Sequence, residues 1–276
     1  MPSNYAHYRF GSQVLPTLPA DVRRPIQRFR RLYDMGLHGP DLFFYHSFFP
    51  KDTVVSLGKK YHHMNGREYF NKVCKRLKME PTEAGMAYLY GILAHYCLDS
   101  VFHPFVLQAT ANDLISHTEL ETEFDRYLLT LDGKERPHTY DCSSHIQLTR
   151  GECVTVSEFY APATADHVLH SVNSMARTVK ALASDSSGKR RMVKRVLKLA
   201  APPIRDLMMP PIPNRSCAHL NESMLALYDQ AVERYALLMD QLVTHMTYNA
   251  PFGPDFEHTF DGTGAPESEN VNSTIE

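Results

Sequence analysis

Three ionisable side chains, His95, Asp99 and His103, recur every four residues inside YLYGILAHYCLDSVFHPFV (88–106), the most apolar stretch of a 276-residue chain. On an α-helix, residues four apart lie on one face about a turn apart, so His95 and Asp99 point the same way. Burying unpaired ionisable groups is costly, and a divalent metal is the usual partner that offsets the cost. Pro104 disfavours helix at the residue before it and lacks a backbone donor. The helix is therefore expected to end near Phe102 and to turn His103 toward a neighbouring site.

The next helical segment repeats the spacing with His117, Glu121 and Asp125. A histidine and a glutamate one turn apart can hold one zinc ion through nitrogen and oxygen. Taken singly, either pair reads as an ordinary i, i+4 contact. HxxxDxxxH followed by HxxxE on consecutive helices points instead to a multi-metal centre between them. Asp125, one turn further, is expected to support that centre from behind or to pair with Arg126 or another basic group.

Helix signals dominate the elements that must position these residues. PIQRFRRLYDMG (25–36) has proline where a first turn tolerates it and glycine where a helix ends. Asn65 with Glu68 resembles a capping box for a helix to about Lys78, and Ser116 with Glu119 forms one for a helix to about Leu131. Residues 164–184 and 219–247 each carry an apolar stripe at helical spacing. Between them, 136–162 shows some alternation (TVSEFY) that would suit a short hairpin. From 251 onward periodicity is lost and Gly, Pro, Ser and Asn accumulate, so 1–250 reads as one all-α domain, a helical bundle, and 251–276 as a disordered tail. The segment 188–213 joins a short basic amphipathic helix to a proline-broken apolar stretch. It reads as a solvated basic face and ordered loop, with a membrane-surface element or lid as the functional alternative.

Composition narrows the class. A formal net charge of −2 gives no electrostatic case for nucleic acid as the main partner, which makes that partner the less expected one. The five cysteines are scattered and lack a CxxC pair, which excludes a cysteine zinc knot and suits a reducing compartment. MPSNYAHYRF lacks the pattern of a signal peptide, and no apolar run reaches the ~20 residues a transmembrane span needs, so a cytoplasmic location is expected. There is no His-Asp dipeptide, which removes an HD-type phosphohydrolase from consideration.

AHYRFG near the start, GPDLFFY (39–45), LGKKYHH (57–63), YGILAHYCLDSVFHPF (90–105) and SHTELETEFDRYL (116–128) resemble the bacterial zinc-dependent phospholipase C family. That family shares its all-α, metal-cluster fold with single-strand nucleases of the P1 type. The resemblance covers roughly residues 1–131 and rests on the order and spacing of motifs, none of which is specific alone.

The resemblance implies a cluster of two or three zinc ions. His7 matches the histidine near the N-terminus, Asp41 the aspartate of the GPD motif, and His62 (with His63 as rival) the histidine before the apolar helix. His95 and Asp99 match the HxxxD pair whose carboxylate bridges two ions. His103, His117 and Glu121 match the remaining ligands. Asp41 is either a general base or only a ligand. Two departures stand out: secreted members use a free terminal amine exposed by processing as a ligand, and they place the histidine after the bridging aspartate two residues beyond a proline, whereas His103 precedes Pro104. The implied activity is hydrolysis of a phosphoric ester, with a phospholipid or small phosphodiester as substrate. A single-strand nuclease or nucleotide phosphodiesterase is the alternative enzyme, and a zinc-containing lipid- or protein-binding module the non-catalytic one. Aromatic residues Phe43, Phe44, Tyr45, Phe48 and Phe49 beside Asp41 read first as core and second as a pocket wall. His38 and His46, which flank the GPD motif, read first as solvated loop residues and second as the lining of a site entrance, whereas His138, His145, His167, His170, His219 and His245 have no ligand-grade spacing.

Overall fold

The computed structural model describes residues 4–47, 51–112, 114–197 and 206–264. Within them the chain folds as α-helices joined by short 3₁₀ turns: α1 (Asn4–Val14), α2 (Ala20–Arg28), α3 (Arg30–Gly36), α4 (Thr53–His62), α5 (Gly66–Met79), α6 (Glu83–Ala109), α7 (His117–Leu131), α8 (Arg150–Ser157), α9 (Ala165–Leu182), α10 (Ser187–Leu197) and α11 (Ala218–Tyr248). The all-α expectation holds. No strand occurs among the described residues, and strand-like pairing is confined to a single bridge between Asn65 and Thr259.

Helix α6 is the axis of the bundle. Its residues are buried on every side from Ala87 to Ser100, as expected for a helix apolar all round. Helix α3 approaches it so closely that the backbones touch. A Cβ on Gly91 would stand 2.3 Å from the Tyr33 carbonyl oxygen, and one on Gly36 would stand 2.5 Å from that of Tyr88. On the other side, the buried stripe Tyr228, Ala231, Tyr235, Leu238 and Leu242 faces α11 into the core. There Tyr235 donates its hydroxyl proton to the Tyr90 carbonyl at 3.1 Å.

Four expectations about elements are corrected. Helix α6 does not stop near Phe102 but runs through Pro104 to Ala109. The ring of Pro104 packs where Gly262 has no side chain, so tertiary packing outweighs one lost backbone bond. The 25–36 segment is two helices, with Pro25 inside α2 and a break at Phe29 (φ −119°, ψ 47°). That break keeps its backbone satisfied, since Phe29 bonds Pro25 and the Phe29 carbonyl accepts from Leu32 and Tyr33. TVSEFY is not part of a hairpin: Thr149 and Glu152 form a reciprocal capping box that opens α8, burying Cys153 and Val156 at helical spacing.

Finally, 251–264 is packed structure rather than tail. Phe252, Phe256 and Phe260 are buried, and the backbone is tied to α4 and α5 through Gly66 N–H to the His258 carbonyl (2.8 Å) and Asp261 N–H to that of His62 (3.3 Å). Residues 265–276 lie outside the described residues, as do Phe48, Phe49 and 198–205 of the basic segment. On α10, Lys189, Arg191, Lys194 and Arg195 are exposed, and no helix among the described residues is long and apolar enough to cross a membrane.

Candidate metal centre

Eight side chains from four helices and one turn converge beside α6. One group joins His7 (α1), Asp41 (the 39–45 turn), His95 and Asp99 (α6). A second joins His103 (α6) with His117 and Glu121 (α7). Within each group, one potential ligand atom per residue lies within 4.8 Å of the others. His62, at the end of α4, places Nε2 2.7 Å from Asp41 Oδ1. Of the two adjacent histidines it is the one facing the centre, since the His63 side chain is 73% exposed and pairs with Asp261. Asp99 joins two histidines of the first group, with Oδ1 3.0 Å from His7 Nε2 and Oδ2 3.2 Å from His95 Nε2. Glu121 Oε1 lies 3.0 Å from His117 Nε2 and 3.6 Å from His103 Nε2.

The sequence builds each position locally. Gly39, at φ +51°, carries its backbone against the His95 ring, and a Cβ there would meet the imidazole Cδ2 at 2.4 Å. Glycine in the GPD motif is thus required twice, by dihedral and by space. The α3–α6 contact holds the turn in place, so that the Leu37 carbonyl lies 3.2 Å from His95 Nδ1. His62 Nδ1 donates to the Gly58 carbonyl one turn back (2.9 Å), and His103 Nδ1 to the Phe260 carbonyl (3.1 Å). A carbonyl only accepts, so all three imidazoles carry their proton on Nδ1 and turn Nε2 toward the carboxylates. Backbone carbonyls behind histidines in this way are a common support for metal ligands.

Electrostatics describe the same site. Burial opposes charge on Asp99, yet the imidazoles of His95, His103 and His7 hold its carboxyl well below the usual range. Burial also opposes charge on Asp41, and His62 draws that carboxyl down. Glu121 is held low, against burial, by His117 and His103. His103 is pushed up to about 9 because Asp99 and Glu121 outweigh its burial. His7 is raised by Asp99 and His62 by Asp41, both against burial. His95 goes the other way, to about 4, because its burial outweighs Asp99. Neighbouring imidazoles thus favour the ionised form of three buried carboxylates, and a divalent cation can supply the same compensation from one centre of charge. Neither oxygen of the buried Asp41 makes a well-oriented hydrogen bond, nor does the buried His95 Nε2, and both donors point into the cluster. A mixed set of imidazole nitrogens and carboxylate oxygens is the donor chemistry of zinc. The residues fit the metal.

Several supporting groups escaped the sequence. Asp125 does not pair with Arg126, which bonds Glu123 at 2.9 Å. Its carboxylate accepts from Tyr5 N–H (3.0 Å) and Ala6 N–H (2.8 Å), anchoring the start of α1 and hence His7. His38, expected to be solvated, is fully buried, with Nε2 2.8 Å from His145 Nε2, while His145 stacks on Tyr8. Burial, and then the mutual proximity of the rings, push His38 well down; burial and Arg30 push His145 to about 4. The pair is neutral, one ring donating to the other. His46 and His170 lie apart from the metal groups, joined by His170 Nε2 and the His46 carbonyl at 3.1 Å. Backbone carbonyls have no side-chain signature, but Phe252, Phe256 and Phe260 at four-residue spacing were a readable sign that 251–264 packs.

The family model for zinc dependent phospholipase C matches residues 6–178, more than half of the chain. That span contains both residue groups and His62. No curated protein and no solved structure matches the chain. With its helical bundle and the residues to hold zinc, the chain belongs to the zinc-dependent phospholipase C family.

Proposed function

We propose that the protein is a zinc-dependent hydrolase of phosphoric esters, cleaving the glycerol side of a phospholipid headgroup phosphate or a small soluble analogue of that bond. The observation that carries this reading is the convergence of three buried carboxylates with imidazole Nε2 atoms, three of whose rings are locked by backbone carbonyls. His7, Asp41, His62, His95 and Asp99 would hold one part of a two- or three-ion cluster, and His103, His117 and Glu121 would hold the other. When bound, zinc supplies the Lewis acidity that polarises a phosphoryl oxygen and makes water acidic enough to ionise near neutral pH.

The chain's own groups orient the reaction. His117, whose side chain is 30% exposed against 10% or less for the other members of its group, marks the side open to substrate. Asp41 remains ionised and offers an oxygen without a well-oriented donor, so it can accept the proton of an attacking water as well as hold metal. The exposed basic residues of α10 favour approach to an anionic lipid surface.

The test compares a chromogenic phosphocholine ester, phosphatidylcholine vesicles and single-stranded DNA as substrates, with Asp41→Asn and chelator-treated protein alongside. Ester and lipid hydrolysis that disappears in both controls is the expected result. Exclusive cleavage of DNA would move the protein to the nuclease reading, and metal bound without hydrolysis of any substrate to the non-catalytic one.

A further inference from the structure

His62, His95 and His103 are held by carbonyls of different origin. The partner of His62 belongs to its own helix, and that of His95 to the turn beside it. The partner of His103 is Phe260, 157 residues away and outside the family-matched span of 6–178. We propose that residues 252–262 act as a clamp that fixes the tautomer and orientation of His103 and thereby sets the affinity of the His103, His117 and Glu121 group for zinc. The proposal rests on the zinc-site reading above.

The clamp is built to hold one carbonyl still. The Phe260 ring is fully buried, meeting Tyr69 and Tyr96 edge-on at 5.3 and 5.1 Å between centroids and lying 5.9 Å from the His95 ring. On the near side, the Asn65–Thr259 bridge and Tyr96 Oη donating to the His258 carbonyl (3.1 Å) fix the backbone before Phe260. On the far side, Asp261 N–H bonds the His62 carbonyl, and the Asp261 carboxylate pairs with His63 Nδ1 at 2.7 Å. That carboxylate also lies 4.0 Å from His103 Nδ1, close enough to reinforce the same proton position.

Gly262 completes the fit. At φ +67° its missing side chain leaves room for Pro104, and a Cβ there would stand 2.6 Å from Pro104 Cδ and 3.1 Å from the Ser100 carbonyl oxygen. His103-Pro104 on α6 and Gly262 on the clamp are therefore complementary halves of one contact. Without the Phe260 carbonyl, the imidazole is free to carry its proton on Nε2, the atom that must be bare to bind metal.

Gly262→Ala lifts the clamp by clash and dihedral strain, and Asp261→Asn weakens its hold while keeping its size. The readouts are zinc content by plasma mass spectrometry, zinc affinity by competition with a chromogenic chelator, the absorption of the cobalt-substituted protein, and the melting temperature of the metal-free form. Gly262→Ala is expected to lower the affinity of one class of zinc site by about 10–100-fold, the usual loss when a support behind a ligand goes. It should also alter the cobalt spectrum, leaving the other class of site intact, with Asp261→Asn giving a smaller loss. Unchanged zinc affinities and cobalt spectrum, with only the melting temperature lowered, would overturn the clamp and leave a purely structural segment. If Gly262→Ala does not fold, Phe260→Leu loosens the same carbonyl and is judged by the same outcomes. A wild type that binds no zinc rejects the metal reading itself.

Discussion

The two residue groups beside α6 are built on opposite plans. The first, with His7, Asp41, His95 and Asp99, is shut inside the bundle and held by the close backbone approach of α3 to α6 at Gly36 and Gly91. The second, with His103, His117 and Glu121, lies at the rim and leans on a helix start and a distant C-terminal segment. Rigidity is expected of the first and access of the second, whose His117 is partly exposed. An enzyme that must hold a rigid cluster and still admit a substrate needs both.

That contrast can be broken most forcefully at Gly91. Gly91→Ala forces a methyl group onto the Tyr33 carbonyl, where neither backbone can yield, and should cost about 3 kcal/mol or more in urea unfolding of the metal-free protein. A loss under half that size would mean that α3 can slide and that the inner group is not rigid.

Acid titration sharpens the contrast next. The folded chain keeps His145 neutral down to about pH 4, whereas the unfolded chain protonates it near its ordinary value of 6.5. The unfolded state then binds more protons, so this contribution to stability is intact above pH 6.5 and is lost as pH falls toward 4. The slope is at most about 1.4 kcal/mol per pH unit for one group. His145→Gln should flatten the pH dependence of unfolding in that window, and an unchanged slope would show that the His38–His145 pair is hydrated.

Removing the anchor of α1 is a smaller perturbation. Asp125→Ala leaves Tyr5 and Ala6 N–H without their acceptor and should cost about 1–2 kcal/mol, as for the loss of a helix cap. Zinc affinity should fall with it, because His7 rides on the freed end. At the rim the order of effects inverts. His117→Ala removes a partly exposed side chain and should change metal-free stability by less than about 0.5 kcal/mol. Its zinc content should nonetheless drop, while an equal loss of stability would place His117 in the core group.

Legibility in the sequence depended on the range of the interactions behind each feature. Helices α7, α9 and α11 were readable because capping residues and apolar stripes act locally, and His95, Asp99, His117 and Glu121 because an i, i+4 spacing survives in sequence, whereas His7, Asp41 and His62 were named only through the family resemblance. The continuation of α6 through Pro104 was not readable, since a residue far along the chain, Gly262, decides it. Nor was the role of Asp125, because the amides it anchors belong to a helix about 120 positions earlier. The burial of His38 depends on His145 and Tyr8, which only the folded chain brings together. Local signals specify elements and donors; the groups that orient the donors are long-range and mostly main-chain.

His95, Asp99 and His103 on one continuous helix also make α6 a ruler. Eight residues of α-helix span about 12 Å, and each added residue rotates the remainder of the helix by about 100°. A single insertion between 95 and 103 would swing His103 off the face it shares with Asp99, however well the rest of the bundle absorbed it. Along this stretch of α6, therefore, only exchanges that keep the residue count can survive.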